Sequence, residues 1–213
     1  MLSETYAYGH WIIVISIISL ALFFITKYIP MRTKFEKRSG GALIAFLIAL
    51  FTEMYGFPLS IYLISSFFGI NIPFTHDKGH LLGNFLTYIG LGNGWFIVMI
   101  ISSLLLLLGL HCIIEGWRLV YKAKGGLVTT GIYQRIRHPQ YTGIYLIIIS
   151  FIIQWPTFIT LIMFPFLVVM YYKLAKREEE DIMKKYKKEY TEYMKKVPRF
   201  IPNWCTFSGE KNV

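Results

Sequence analysis

The chain alternates between long apolar runs and short charged stretches. A bilayer core of roughly 30 Å is crossed by about 20 mostly apolar helical residues. The run from Trp11 to Ile29, closed by Pro30, has that length. A second run extends from Leu43 to Phe68 and is interrupted at Tyr55-Gly56-Phe57-Pro58, where a kink is expected. A third covers Trp95 to Ile114. Two shorter runs, Tyr141 to Ile153 and Thr157 to Tyr172, flank Gln154-Trp155-Pro156 and read as a helical hairpin whose arms are short for spans. The pattern predicts an all-α integral membrane bundle of about five transmembrane helices. Beyond it, Ile182, Met183, Tyr186, Tyr190 and Tyr193 recur at spacings of three and four. They predict an amphipathic tail helix over 176–192, lying on the membrane surface or capping the bundle.

Composition and charge sharpen this picture. The 213 residues are 55% hydrophobic and 16% charged, against about 45–50% and about 25% for soluble domains. A net charge of +10 would suit a nucleic-acid partner, but the Lys and Arg lie between the apolar runs and after the last one. With five spans and the N-terminus outside, Lys78 alone among the 22 basic residues falls outside. The opposite orientation, or one span fewer, breaks the positive-inside rule. The C-terminal tail is therefore expected on the cytoplasmic side, and the small size of the chain suggests a prokaryotic plasma membrane. Trp11 to Ile29 is too long for a signal-peptide core and is followed by basic residues. Cys112 and Cys205 have no metal-ligand spacing and are not expected to pair.

Chemistry concentrates in two places. The stretch from Gly131 to Gly143 packs Tyr133, Arg135, Arg137, His138 and Tyr141 at the mouth of the hairpin. Pro139 disfavours helix at His138 and is suited to a first helical turn, which puts His138 near a helix N-terminus. Such an end attracts a carboxylate or phosphate. The bland reading is that Arg135, Arg137 and His138 only fix topology at the headgroups. The second place is Arg177-Glu178-Glu179-Glu180-Asp181, four acids in a basic tail. They read either as a helix-start run paired with Lys184 and Lys185, or as carboxylates that bind a cation or ribose hydroxyls.

Together these segments carry a family resemblance. Arg137-His138-Pro139-x-Tyr141-x-Gly143 is followed by Glu178-Glu179-x-x-Ile182. Then come Tyr186, Tyr190 and Tyr193, and Val197-Pro198-Arg199-Phe200-Ile201-Pro202. This order resembles the isoprenylcysteine carboxyl methyltransferases and is similar to the related phospholipid N-methyltransferases. It covers roughly Arg118 to Pro202. The resemblance implies methyl transfer from S-adenosylmethionine to a lipid-like or isoprenylated substrate within the membrane, by carboxyl O-methylation or lipid amine N-methylation. It divides the chain into N-terminal spans over 1–116 and a cofactor-binding core over 117–213. It also implies that Leu127, Val128, Tyr133, His138, Pro139, Gln140, Tyr141 and Glu178 line the cofactor. For the tyrosines, the ordinary alternative is interfacial anchoring. Two positions depart from the family pattern. Lys187 replaces a Gly, and Leu174 stands where the family has a carboxylate-binding Arg, with Lys173 and Arg177 as nearby substitutes. The second departure weighs against a carboxyl-ester product more than against methyl transfer.

The residues name no catalytic base; Arg137 and Glu53 are the candidates for a catalytic role of any kind, Glu53 because ionisable groups within spans are functional by default. Glu53 could also pair with His111 or an Arg. His111 and Glu115 share a helix face and are expected to pair with each other rather than hold a metal. His76, Asp77 and His80 are expected in a solvated outside loop. The competing functions are an NADPH-dependent membrane reductase of the sterol-reductase type and a non-enzymatic membrane scaffold.

Overall fold

The computed structural model describes residues 9–28, 34–69 and 79–202. All regular structure among them is helical. The α-helices are α1 (Trp11–Tyr28), α2 (Lys34–Phe51), α3 (Leu59–Phe68), α4 (Leu81–Tyr88), α5 (Gly94–Lys122), α6 (Pro139–Gln154), α7 (Phe158–Lys185) and α8 (Lys187–Lys196). Among the described residues, three stretches are long and apolar enough to cross a membrane: Lys37–Gly56, Gly94–Lys122 and Phe158–Lys185. Trp11–Lys27, Leu59–Phe68 and Pro139–Gln154 are shorter apolar helices. Large apolar side chains such as Leu20, Phe96, Leu104, Leu107 and Phe166 are exposed, as expected of faces turned to lipid rather than water. The chain divides into two compact units, one of residues 1–106 and 148–170, the other of residues 107–147 and 171–213.

In the first unit the expected kink is a full break. A π-helical turn at Thr52–Gly56 follows α2. Phe57 is then extended, with φ −134° and ψ 120°, as the residue before a proline must be. Buried Glu53 bridges the break. Its carboxylate accepts from the Ser60 backbone N–H (3.0 Å) and hydroxyl (2.9 Å). The expected pairing with His111 or an Arg is replaced by this local cap on the first turn of α3. The Ser60 hydroxyl in turn accepts from the Phe158 N–H at 3.0 Å.

His80 is likewise not solvated. It is 5% exposed, its Nδ1 lies 3.0 Å from the Gln154 carbonyl, and its ring packs edge-on to Trp155. The sequence pattern did not anticipate α4, which directly follows His80. Gly79 makes room for this packing, because a Cβ there would lie 1.9 Å from the Trp155 ring. His76 and Asp77 lie outside the described residues. The hairpin turn falls where the sequence placed it. There Thr157 and Thr160 cap α7 reciprocally, each N–H donating to the other's hydroxyl (3.2 and 3.1 Å). This has the form of a capping box, with Thr at the third helical position.

In the second unit, α5 and α6 touch backbone to backbone at Gly109 and Gly143. A Cβ on Gly143 would meet the Gly109 carbonyl oxygen at 2.5 Å. Small residues permit such crossings between membrane helices. α7 runs unbroken to Lys185, where a separate tail helix over 176–192 was expected. The drop in hydropathy at Lys173 does not interrupt backbone hydrogen bonding, and Lys, Ala, Arg and Glu all favour helix. The break comes at Tyr186, with φ −127°, and α8 follows. His111 is exposed, and Glu115 bonds Arg118 (2.6 Å) in place of the expected pairing with His111.

Candidate functional site

His138 directly precedes Pro139, the first residue of α6, and is 4% exposed. Its backbone is fixed from the C-terminal side of the chain. The Arg137 N–H donates to the Pro198 carbonyl (2.9 Å), and the His138 N–H donates to the Arg199 carbonyl (3.1 Å). The Thr142 hydroxyl donates to the Phe200 carbonyl at 3.0 Å. The segment 198–200 is thus strapped along the start of α6. The Phe200 ring packs against His138, Tyr145 and Tyr172.

α7 delivers two adjacent carboxylates to the His138 ring. Nε2 lies 3.1 Å from Glu179 Oε1, and Nδ1 lies 3.5 Å from Glu178 Oε2. The two carboxylates differ. The Glu179 side chain is 5% exposed and is held by three cations. Arg199 donates to it in bidentate fashion (Nε 3.0 Å, Nη2 2.6 Å), and Arg137 Nη2 approaches at 3.0 Å. The Glu178 side chain is 37% exposed and accepts from the Tyr141 hydroxyl. Burial pushes the His138 pKa down, but the hydrogen bonds and charges of Glu178 and Glu179 outweigh it, and the net shift is upward. An imidazole with a carboxylate at each nitrogen is a double donor, which is the protonated form. The Arg199 pKa is raised chiefly by its bond to Glu179.

A second layer surrounds this cluster. Gln140 Nε2 donates to the Tyr133 hydroxyl at 2.6 Å, and the Tyr193 hydroxyl donates to the Tyr133 carbonyl at 2.5 Å. Burial raises the Tyr133 pKa, so the phenol stays protonated. Tyr141 stacks on His138 at 5.7 Å. Arg137 also donates to the Met194 carbonyl (3.2 Å), while its buried Nε has no partner. Buried donors without partners are uncommon and call for an explanation.

The sequence profile of phospholipid methyltransferases matches residues 79–189. The chain belongs to the phospholipid methyltransferase family. No curated protein matches it. The family is one of methyltransferases, and with the apolar helices it indicates a membrane-associated protein. The family match includes Tyr133, His138, Tyr141, Glu178 and Glu179 and stops short of Arg199.

Of the residues singled out from sequence, the fold brings Arg137, His138, Tyr141 and Glu178 into one cluster, with Tyr133 and Gln140 behind. Pro139 opens α6, and Leu127 and Val128 are half-buried in the preceding loop. Glu53 belongs to the other unit and its Ser60 cap. Leu174 is buried, whereas Lys173 and Arg177 are exposed. The guanidinium groups in the cluster come from Arg137 and Arg199. Sequence reasoning quoted Glu179 and Arg199 within the motif but gave neither a place in the site. Their signal was present, since a second acid adjoins Glu178 and one Arg sits inside the Val-Pro-Arg-Phe-Ile-Pro tail.

Proposed function

We propose that this protein is an S-adenosylmethionine-dependent methyltransferase acting on a lipid-like or isoprenylated substrate. The observation that carries the reading is the division of labour between adjacent carboxylates. Glu179 is buried and saturated by cations, while Glu178 is anchored on Tyr141 and His138 yet keeps an accessible face. S-adenosylmethionine supplies a methyl group already activated on a sulfonium.

The residues present fit that group. Glu178 can accept from ribose hydroxyls or the amino group. The unpartnered Arg137 Nε is a donor for the amino-acid carboxylate. Tyr133 and Tyr141 offer aromatic faces, and Leu127, Val128, Pro139 and Gln140 complete the wall. The chain's remaining task is to align the acceptor and keep water away. In this reading Arg137 binds rather than transfers a proton, and Glu53 is structural. We assign the cluster to the cytoplasmic face from the distribution of Lys and Arg, with the N-terminus outside.

The test is calorimetric titration of the detergent-purified protein with S-adenosylhomocysteine, with NADPH as control. Binding of S-adenosylhomocysteine alone, lost in His138→Ala and Glu178→Ala, is the expected outcome. Binding of NADPH instead would favour a reductase. Binding of neither would favour a scaffold.

A further inference from the structure

Glu179 makes more ionic contacts than any other carboxylate in the cluster, yet has almost no surface left for a ligand. Its two oxygens bind the tail through Arg199, the loop ahead of α6 through Arg137, and the imidazole through His138. The partners come from two pieces of the site, the loop ahead of α6 and the tail. The contacts converge where the backbone N–H groups of Arg137 and His138 are also taken up by the tail.

The geometry points to Glu179 as a positioning residue. It holds the His138 ring as imidazolium, clamps the 198–200 strap through Arg199, and so leaves its neighbour Glu178 as the carboxylate that meets the ligand. This inference rests on the methyltransferase reading only for the identity of that ligand. The charged and titratable groups around His138 are Glu178 and Glu179 on α7, Arg137 in the loop, Tyr141 on α6, Tyr190 on α8 and Arg199 in the tail. Tyr190, with its pKa pushed up to about 12 by burial and then by Glu179, stays neutral across the working range. The balance on the ring is therefore set by two carboxylates against two guanidinium groups.

Two substitutions then have opposite signatures. Glu179→Gln removes an anion from the ring and lowers the His138 pKa. Arg199→Gln removes a cation and frees Glu179 for the ring, which raises it. Both remove the side-chain clamp on the strap and weaken ligand binding, by about tenfold or more, as loss of an orienting partner commonly does. A residue that merely fills space would move affinity without opposite movements of the His138 titration.

The experiment is NMR titration of histidine-labelled full-length protein in detergent. The chain has five histidines, and the His138→Ala spectrum assigns the resonance. S-adenosylhomocysteine affinity is measured on the same samples. Opposite pKa displacements with weakened binding in both variants are expected. An unchanged His138 titration, or displacement in the same direction in both, overturns the inference. If Glu179→Gln fails to fold, Arg199→Gln and Arg199→Lys still decide it. In that case an upward shift in the first and a smaller one in the second are required. The titration needs no ligand, so failure of the wild type to bind S-adenosylhomocysteine would reject the methyltransferase reading and leave this one standing or falling on the spectra.

Discussion

Two buried glutamates, one in each unit, meet the same difficulty in different ways. Glu53 sits in an apolar span and takes neutral donors, the N–H and hydroxyl of a single residue seven positions on. Glu179 sits past the apolar part of α7 and takes three cations drawn from positions 137, 138 and 199. A carboxylate capped by neighbours in sequence stabilises a local break in the chain. One satisfied by distant cations ties together segments that lie far apart in sequence. The first can be replaced by a neutral isostere, because its donors are neutral. The second cannot, because its removal strands positive charge.

The largest effect that tests this contrast is Glu179→Ala. Breaking a buried pair by removing one partner costs about 3–5 kcal/mol, and denaturant or thermal unfolding in detergent should register a loss of that order. Glu53→Leu leaves only the polar groups of Ser60 unsatisfied and should cost about 1–3 kcal/mol. Equal losses at the two sites would break the comparison. Glu53→Gln should be milder than Glu53→Leu, since the amide oxygen can still accept from Ser60.

The contrast also sharpens with pH. The His138 pKa is raised on folding, so its ion pairs contribute fully below the unfolded value of about 6.5. They are lost as pH rises through the higher native value. The stability gap between wild type and His138→Gln should therefore be wider at about pH 6 than at about pH 9. A gap that widens with pH would contradict the assignment of His138 as imidazolium. The smallest effect belongs to the solvated pair Lys184–Asp181, 2.7 Å apart with both side chains about three-quarters exposed. Lys184→Ala should leave both melting and S-adenosylhomocysteine binding unchanged.

Much of the helical plan was legible because it rests on strong local signals. Pro139 starts α6, Trp155-Pro156 turns the hairpin, and Pro58 breaks the second apolar run. What sequence did not reveal depends on contacts between distant positions. His80 looked solvated because its cover comes from Gln154 and Trp155, more than seventy residues away. The end of α7 was misread because a change from apolar to charged side chains marks a change of surroundings, to which backbone hydrogen bonding is indifferent. In the site, Glu178 was chosen over Glu179 by resemblance. Only the fold distinguishes the half-exposed carboxylate from the buried one, and only the fold sets Arg199 against it.

The strap has a consequence for how the protein comes into being. Chains are made from the N-terminus and fold as they emerge. Every helix described here precedes Arg199 in the order of synthesis. The bundle can therefore be inserted and its hairpin closed while the carbonyls that hold the start of α6 do not yet exist. A nascent chain arrested just after α8 would have all the described helices but an untied His138 loop. The start of α6 is tied down only once residues 198–200 have been translated, so the cluster around His138 is completed after the helices that carry it.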